Sequence, residues 1–133
     1  MTLISRLSSL TGPDREVDAE IARLILPKLR SCPRDDHGDQ PGWMTEDGRV
    51  YAPHYTASVD AALPLAPVLD APGQALWIRL EQGVGGNGTV GCMWRATIWG
   101  VIDDWEPEWN GLHQFPAIAL LIAIMRAREE GKT

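Results

Sequence analysis

The sequence predicts an α/β domain, specifically a single-domain α/β/α sandwich in which a small antiparallel sheet carries helices on both faces. Three observations lead there. Two apolar helical segments, over 55–67 and 115–128, bracket a glycine-tipped pair of tryptophan-bearing strands. Residues 76–81 and 92–99 alternate in the period of two that strands require, which gives each a separable pair of faces. Two short amphipathic helices precede them and must dock on something. Helix layers over an antiparallel sheet satisfy all three at once.

The elements follow in order. Leu3, Ile4, Leu7 and Leu10 fall at helical spacing, and Gly12-Pro13 ends that helix. A second helix begins near Pro13, with Asp14 and Glu16 complementing its positive end and Val17, Ile21, Leu24 and Ile25 as its stripe. Pro27 stops it. Residues 31–42 are polar and turn-rich. Asp47-Gly48 between short β-compatible flanks signals a tight hairpin. Thr56 or Ser58 caps the next helix, which Pro64 and Pro67 constrain at its end. Leu76, Ile78 and Leu80 alternate with Trp77, Arg79 and Glu81; Cys92, Trp94, Ala96 and Ile98 alternate with Met93, Arg95, Thr97 and Trp99. The aliphatic face should receive the last helix, and the N-terminal helices should cover the face of Trp77, Arg79, Arg95 and Trp99. The organisation expected is one domain over 1–133. It comprises a helical pair over 1–27, a loop and short hairpin over 28–54, and a helix–hairpin–helix core over 55–130.

Composition bounds the function. Hydrophobic residues at 44% and charged residues at 23% are ordinary for a globular chain long enough to bury a core. No basic-then-apolar leader is evident at the start, and the longest apolar stretch, 112–125, is interrupted and short of the roughly twenty residues that span a bilayer. Two unpaired-looking cysteines, Cys32 and Cys92, suit a reducing cytoplasm. The net charge is −6, and between Val50 and Met125 the only bases are Arg79 and Arg95. That balance argues against nucleic acid as a partner, because phosphate binding draws on clustered Lys and Arg.

Three blocks carry a resemblance. The start Thr11-Gly12-Pro13-Asp14-Arg15-Glu16-Val17-Asp18-Ala19, the block 55–63 (Tyr-Thr-Ala-Ser-Val-Asp-Ala-Ala-Leu), and the helix Pro116-Ala117-Ile118-Ala119-Leu120 with Arg126-Ala127-Arg128 resemble the phage ABA-sandwich domain family of small phage and prophage proteins. The resemblance implies α/β/α layers and a phage or prophage origin, and it brings no catalytic residues with it. The 35–39 loop and the 103–109 segment depart from the family pattern.

Four stretches are candidate sites. Gly83-Val84-Gly85-Gly86-Asn87-Gly88 looks superficially like a phosphate loop, but a strand follows where a helix is needed, so it reads as a hairpin tip. Asp35-Asp36-His37-Gly38-Asp39 offers oxygen and imidazole ligands without the spacing of a calcium or zinc site, and a metal-dependent small hydrolase is the reading it would support. Trp77, Arg79, Arg95 and Trp99 form either a stacking platform for a nucleotide-like small molecule or a second core beneath the N-terminal helices. In Asp103-Asp104-Trp105-Glu106-Pro107-Glu108-Trp109, four carboxylates interleave with two tryptophans in a segment that Pro107 keeps irregular. Tryptophan is a hot-spot residue and the acids steer toward a basic partner.

The function expected is therefore non-enzymatic: a phage accessory protein without metal or cofactor. Its partner would be a host protein with a basic surface, bound through Asp103, Asp104, Trp105, Glu106, Glu108 and Trp109, and the outcome inhibition of a host defence system. No membrane contact is expected, and the final helix, apolar on nearly every side, leaves room for a homodimer.

Overall fold

The computed structural model describes residues 2–67, 72–83 and 93–130. Helix α1 spans Leu3–Ser9, capped by the Thr2 hydroxyl, which accepts the Ser5 N–H. Helix α2 spans Arg15–Ile25, and its N-cap is Asp14, whose carboxylate accepts the N–H groups of Glu16 and Val17. Pro13 therefore stands just outside the helix. Pro27 opens a single 3-10 stretch, Pro27–Ser31. Strands β1 (Gly42–Thr45) and β2 (Gly48–Tyr51) form the expected hairpin, and Gly48 supplies the positive φ of 111° at its turn.

The helical segment expected over 55–67 is shorter than its composition suggested. Helix α3 covers Val59–Ala62 and passes into a 3-10 turn at Leu63–Leu65, with Ser58 as its cap. Thr56 has a different task. Its N–H donates to the buried Asp18 carboxylate at 2.7 Å, and its hydroxyl accepts the Asp14 N–H at 2.9 Å. Arg15 completes the lock by pairing with Asp18 at 2.7 Å and donating to the carbonyl of Ala52 at 2.8 Å. The first two blocks that carry the family resemblance thus clasp each other, and their polar residues hold α2 against the 52–56 segment.

Strands β3 (Ala75–Gly83), β4 (Met93–Val101) and β5 (Glu108–His113) make an antiparallel meander in that order. One face presents Ile78, Ile98 and Trp109 in one row and Leu80, Ala96 and Gly111 in the next. Helix α4 (Pro116–Glu130) lies on this face. Gly111 is required there: a Cβ would stand 2.1 Å from the Ala119 carbonyl oxygen, so its absence lets the helix backbone approach the strand. Helices α1 and α3 pack against α4 as well, and residues 117–125 of α4 are buried without interruption. Arg126 donates to the Asn110 carbonyl and Arg128 to that of Leu65, which ties the end of the helix to both neighbours.

The chain is thus α/β with a small antiparallel sheet, and it differs from expectation in where the N-terminal helices go. Helix α1 lies on α4 and α2 is clasped to the 52–56 segment, and neither covers the Trp77 face of the sheet; α4 is apolar all round and takes α1 and α3 as cover on the side away from the strands. None of the described helices is long and apolar enough to cross a membrane.

Because Leu121 is fully buried in this middle layer, Leu121→Ala should lower unfolding stability by about 2–5 kcal/mol. Urea denaturation checks it, and a loss below about 0.5 kcal/mol, the scale of a surface change, would remove α4 from the core.

Candidate functional site

Strand alternation sends half of each strand to the face opposite α4. The rows there are Trp77, Trp99 and Glu108; Arg79, Thr97 and Asn110; Glu81, Arg95 and Leu112. No helix among the described residues covers them. Trp77 keeps 47% exposure, and Leu112 and Met93 are exposed towards the other end of the same face. The expected second core is therefore an open surface. Its floor is Thr97, buried under its neighbours and donating its hydroxyl hydrogen to Asn110 Oδ1 at 2.9 Å. Trp77 and Trp99 stack across β3 and β4 with ring centroids 6.2 Å apart and planes at 20°. The Arg79 guanidinium sits 5.2 Å from the Trp99 ring centre, and its Nε pairs with Glu81 at 2.8 Å. That pairing orients the cation over the ring.

The 103–109 segment is not the irregular loop expected. Ile102 and Trp105 exchange both backbone hydrogen bonds, 2.8 and 2.9 Å, around Asp103-Asp104, with Asp103 in the left-handed region at φ 55°. Aspartate tolerates that conformation better than most residues. The Gly100 N–H donates to the Pro107 carbonyl at 3.1 Å, in the same register that pairs Trp99 with Glu108. The β4–β5 hairpin thus runs on through the acidic segment to its two-residue turn. Pro107 costs it the one hydrogen bond that its missing N–H would have returned to Gly100.

Alternation then divides the predicted contact residues. Glu106 and Glu108 join the open face, and with Trp77, Arg79, Trp99 and Pro107 they line a shallow depression of about 490 Å³. Trp105, Pro107 and Trp109 have the opposite parity. Trp109 is 5% exposed, packed in the core, and its indole N–H donates to the Glu130 carboxylate. This corrects its assignment as a contact residue: the strand carries it beneath the sheet. Trp105 remains 47% exposed, edge-on to Trp109 with centroids 5.7 Å apart. Asp103 and Asp104 stand exposed at the turn. Arg95 lies on the open face, four residues along its strand from Trp99 at the depression.

The other candidates have structural tasks. Asp35 pairs with Arg49 at 2.7 Å. Asp36 pairs with Arg34 and accepts the Gly42 N–H at 3.1 Å. The Arg34 hydrogen bond, aided by that amide, holds the Asp36 carboxyl below its ordinary range. Two of the carboxylates in the 35–39 loop are thus engaged by guanidinium groups, and Arg34 is itself stacked 5.5 Å from the Trp43 ring centre. His113 is buried with both ring nitrogens occupied: Nε2 lies 2.7 Å from the Leu10 carbonyl and Nδ1 accepts the Phe115 N–H at 3.1 Å. The thiol of half-buried Cys32 reaches the Lys28 carbonyl at 3.3 Å. The glycine-rich turn beyond Gly83, and Cys92 with it, lie outside the described residues.

Sequence reading kept the Trp–Arg face and the acidic segment apart. The parity of Glu106 and Glu108 relative to Trp99, counted around Asp103-Asp104, is the signal that unites them. Comparison with family models, with curated proteins and with solved structures returned no match.

The two tryptophans of the acidic hairpin should behave differently. Trp109→Ala should cost about 3–5 kcal/mol of stability, as expected for a buried aromatic. Trp105→Ala should cost about 0.5–1.5 kcal/mol, the scale of one edge-to-face contact. Equal losses in chemical denaturation would contradict the placement of these side chains.

Proposed function

We propose that this chain acts by binding, without catalysis, and that its interface is the open face of the sheet, taking a protein partner with a basic surface. The observation that carries this reading is a solvent-facing surface combining Trp77, Trp99, Met93 and Leu112 with Arg79 and Arg95. Aromatic residues, methionine and arginine are the types enriched in protein interfaces. Exposing two large hydrophobic groups on the same sheet face as a stacked indole pair is costly unless a partner covers them. Charge chooses the partner: Glu106 and Glu108 edge the aromatic depression, and Asp103 and Asp104 extend the negative field to the hairpin tip. A lysine or arginine side chain meets there both a ring face and carboxylates. The resemblance to the phage ABA-sandwich family supports a host protein as that partner, met in the host cytoplasm, with inhibition of a defence system as the outcome.

A second reading, a nucleotide-like ligand stacked on Trp77 and Trp99, is favoured by the indole pair alone. The base could stack, but its phosphates would meet Glu106 and Glu108, while the nearest cation, Arg79, is already paired with Glu81.

The experiment is affinity capture from host lysate followed by binding kinetics on the captured protein. Trp77→Ala should weaken binding by about 2 kcal/mol or more, mainly through faster dissociation. Glu106→Gln with Glu108→Gln should slow association and flatten its salt dependence, because steering acts on encounter. Unchanged kinetics in both variants would move the interface off this face.

A further inference from the structure

A second surface of different chemistry lies among the N-terminal elements. Arg6 of α1, Glu16, Glu20 and Arg23 of α2, Arg30 of the 3-10 turn and Arg34 beyond it surround a cleft of about 290 Å³. Four guanidinium groups face two lining carboxylates, and with Asp36 pairing Arg34 from outside the lining a local positive excess remains in a chain of net charge −6. The carboxylates are spent on the walls: Glu20 pairs with Arg6, and Glu16 with Arg34 at 3.0 Å. Arg23 and Arg30 are exposed and have no hydrogen-bond or ion-pair partner among the described residues. Two arginines held in place by acids, with two more converging on the same space unneutralised, form an arrangement that mutual repulsion disfavours until an anion enters. Guanidinium forks match the oxygen spacing of a phosphoryl group and bind it bidentately. Glu16 and Glu20 fence the cleft against an extended polyanion, and Ala19 and Leu24 supply an apolar side.

We infer that this cleft binds a small phosphate monoester, with Arg23 and Arg30 gripping the phosphoryl group and the Ala19–Leu24 side accepting its organic portion. The inference is independent of the interface on the sheet. It is tested by NMR titration of the full chain with inorganic phosphate and with adenosine monophosphate, reading the arginine Nε–H resonances at constant ionic strength. Both probes should give saturable shifts at Arg23 and Arg30, with the monoester binding more tightly. Arg23→Gln with Arg30→Gln, both solvent-facing, should weaken each by about tenfold or more, equivalent to about 1.4 kcal/mol. Arg79→Gln, on the sheet, should change neither. Shifts that stay linear to about 10 mM probe, or that persist undiminished in the double variant, would overturn the site. So would a nucleotide that binds no tighter than phosphate, or a single-stranded oligonucleotide that binds where phosphate does not.

Discussion

Everything in this fold turns on the burial of α4 from all sides. A helix whose residues 117–125 are continuously buried has no solvent-facing stripe, so it must be the middle of a stack. The sheet covers one side, where Gly111 allows backbone-to-backbone approach, and α1 and α3 cover another. That arrangement takes up α1, while polar contacts hold α2 against the 52–56 segment. The sheet's second face is then left without a helix among the described residues, and the stacked Trp77 and Trp99 stand on an open surface as a consequence of how the core is closed. The Asp18–Arg15–Thr56 clasp secures the N-terminal layer. A buried carboxylate with a guanidinium and a backbone amide as partners is satisfied where it sits, and removing any one partner would strand a charge.

The same construction separates two electrostatic characters in one acidic chain. Carboxylates of the β4–β5 hairpin border an aromatic surface suited to cations, while arginines of α1, α2 and the 27–34 segment border a cleft suited to anions. Of the three blocks behind the phage-family resemblance, only Glu16 and Ala19 reach either surface, both at the arginine cleft. Asp14, Arg15, Asp18, Thr56, Arg126 and Arg128 are engaged in caps, clasps and backbone contacts.

Much of this was legible beforehand. Helical spacing located α1, α2 and α4, alternation located β3 and β4, and Asp47-Gly48 located the first hairpin. What escaped was β5. Its inward residues Trp109, Gly111 and His113 alternate with Glu108, Asn110 and Leu112, but Pro107 and Asn110-Gly111 carry the local chemistry of a loop, and only pairing with β4 overrides it. Missing that strand misplaced Trp109 and hid the convergence of Glu106 and Glu108 on Trp77 and Trp99. The destination of the N-terminal helices was equally invisible to local patterning, because two apolar surfaces competed for them. The longer and wholly apolar one, α4, took α1. The arginine cleft was missed for a related reason: Arg6, Arg23, Arg30 and Arg34 are scattered in sequence and are gathered only where α1 and the 27–34 segment meet α2.

The central claim is that the Trp77 face of the sheet is open to solvent in the free chain while the opposite face is sealed by α4. Hydroxyl-radical footprinting read by mass spectrometry addresses both faces in one measurement, since aromatic, methionine and leucine side chains all report. Trp77, Met93 and Leu112 should label strongly, while Trp43, Trp109 and Met125 stay protected until the chain unfolds. Protection of Trp77 and Met93 to the level of Trp109 would contradict the account, because the sheet would then be covered on both faces.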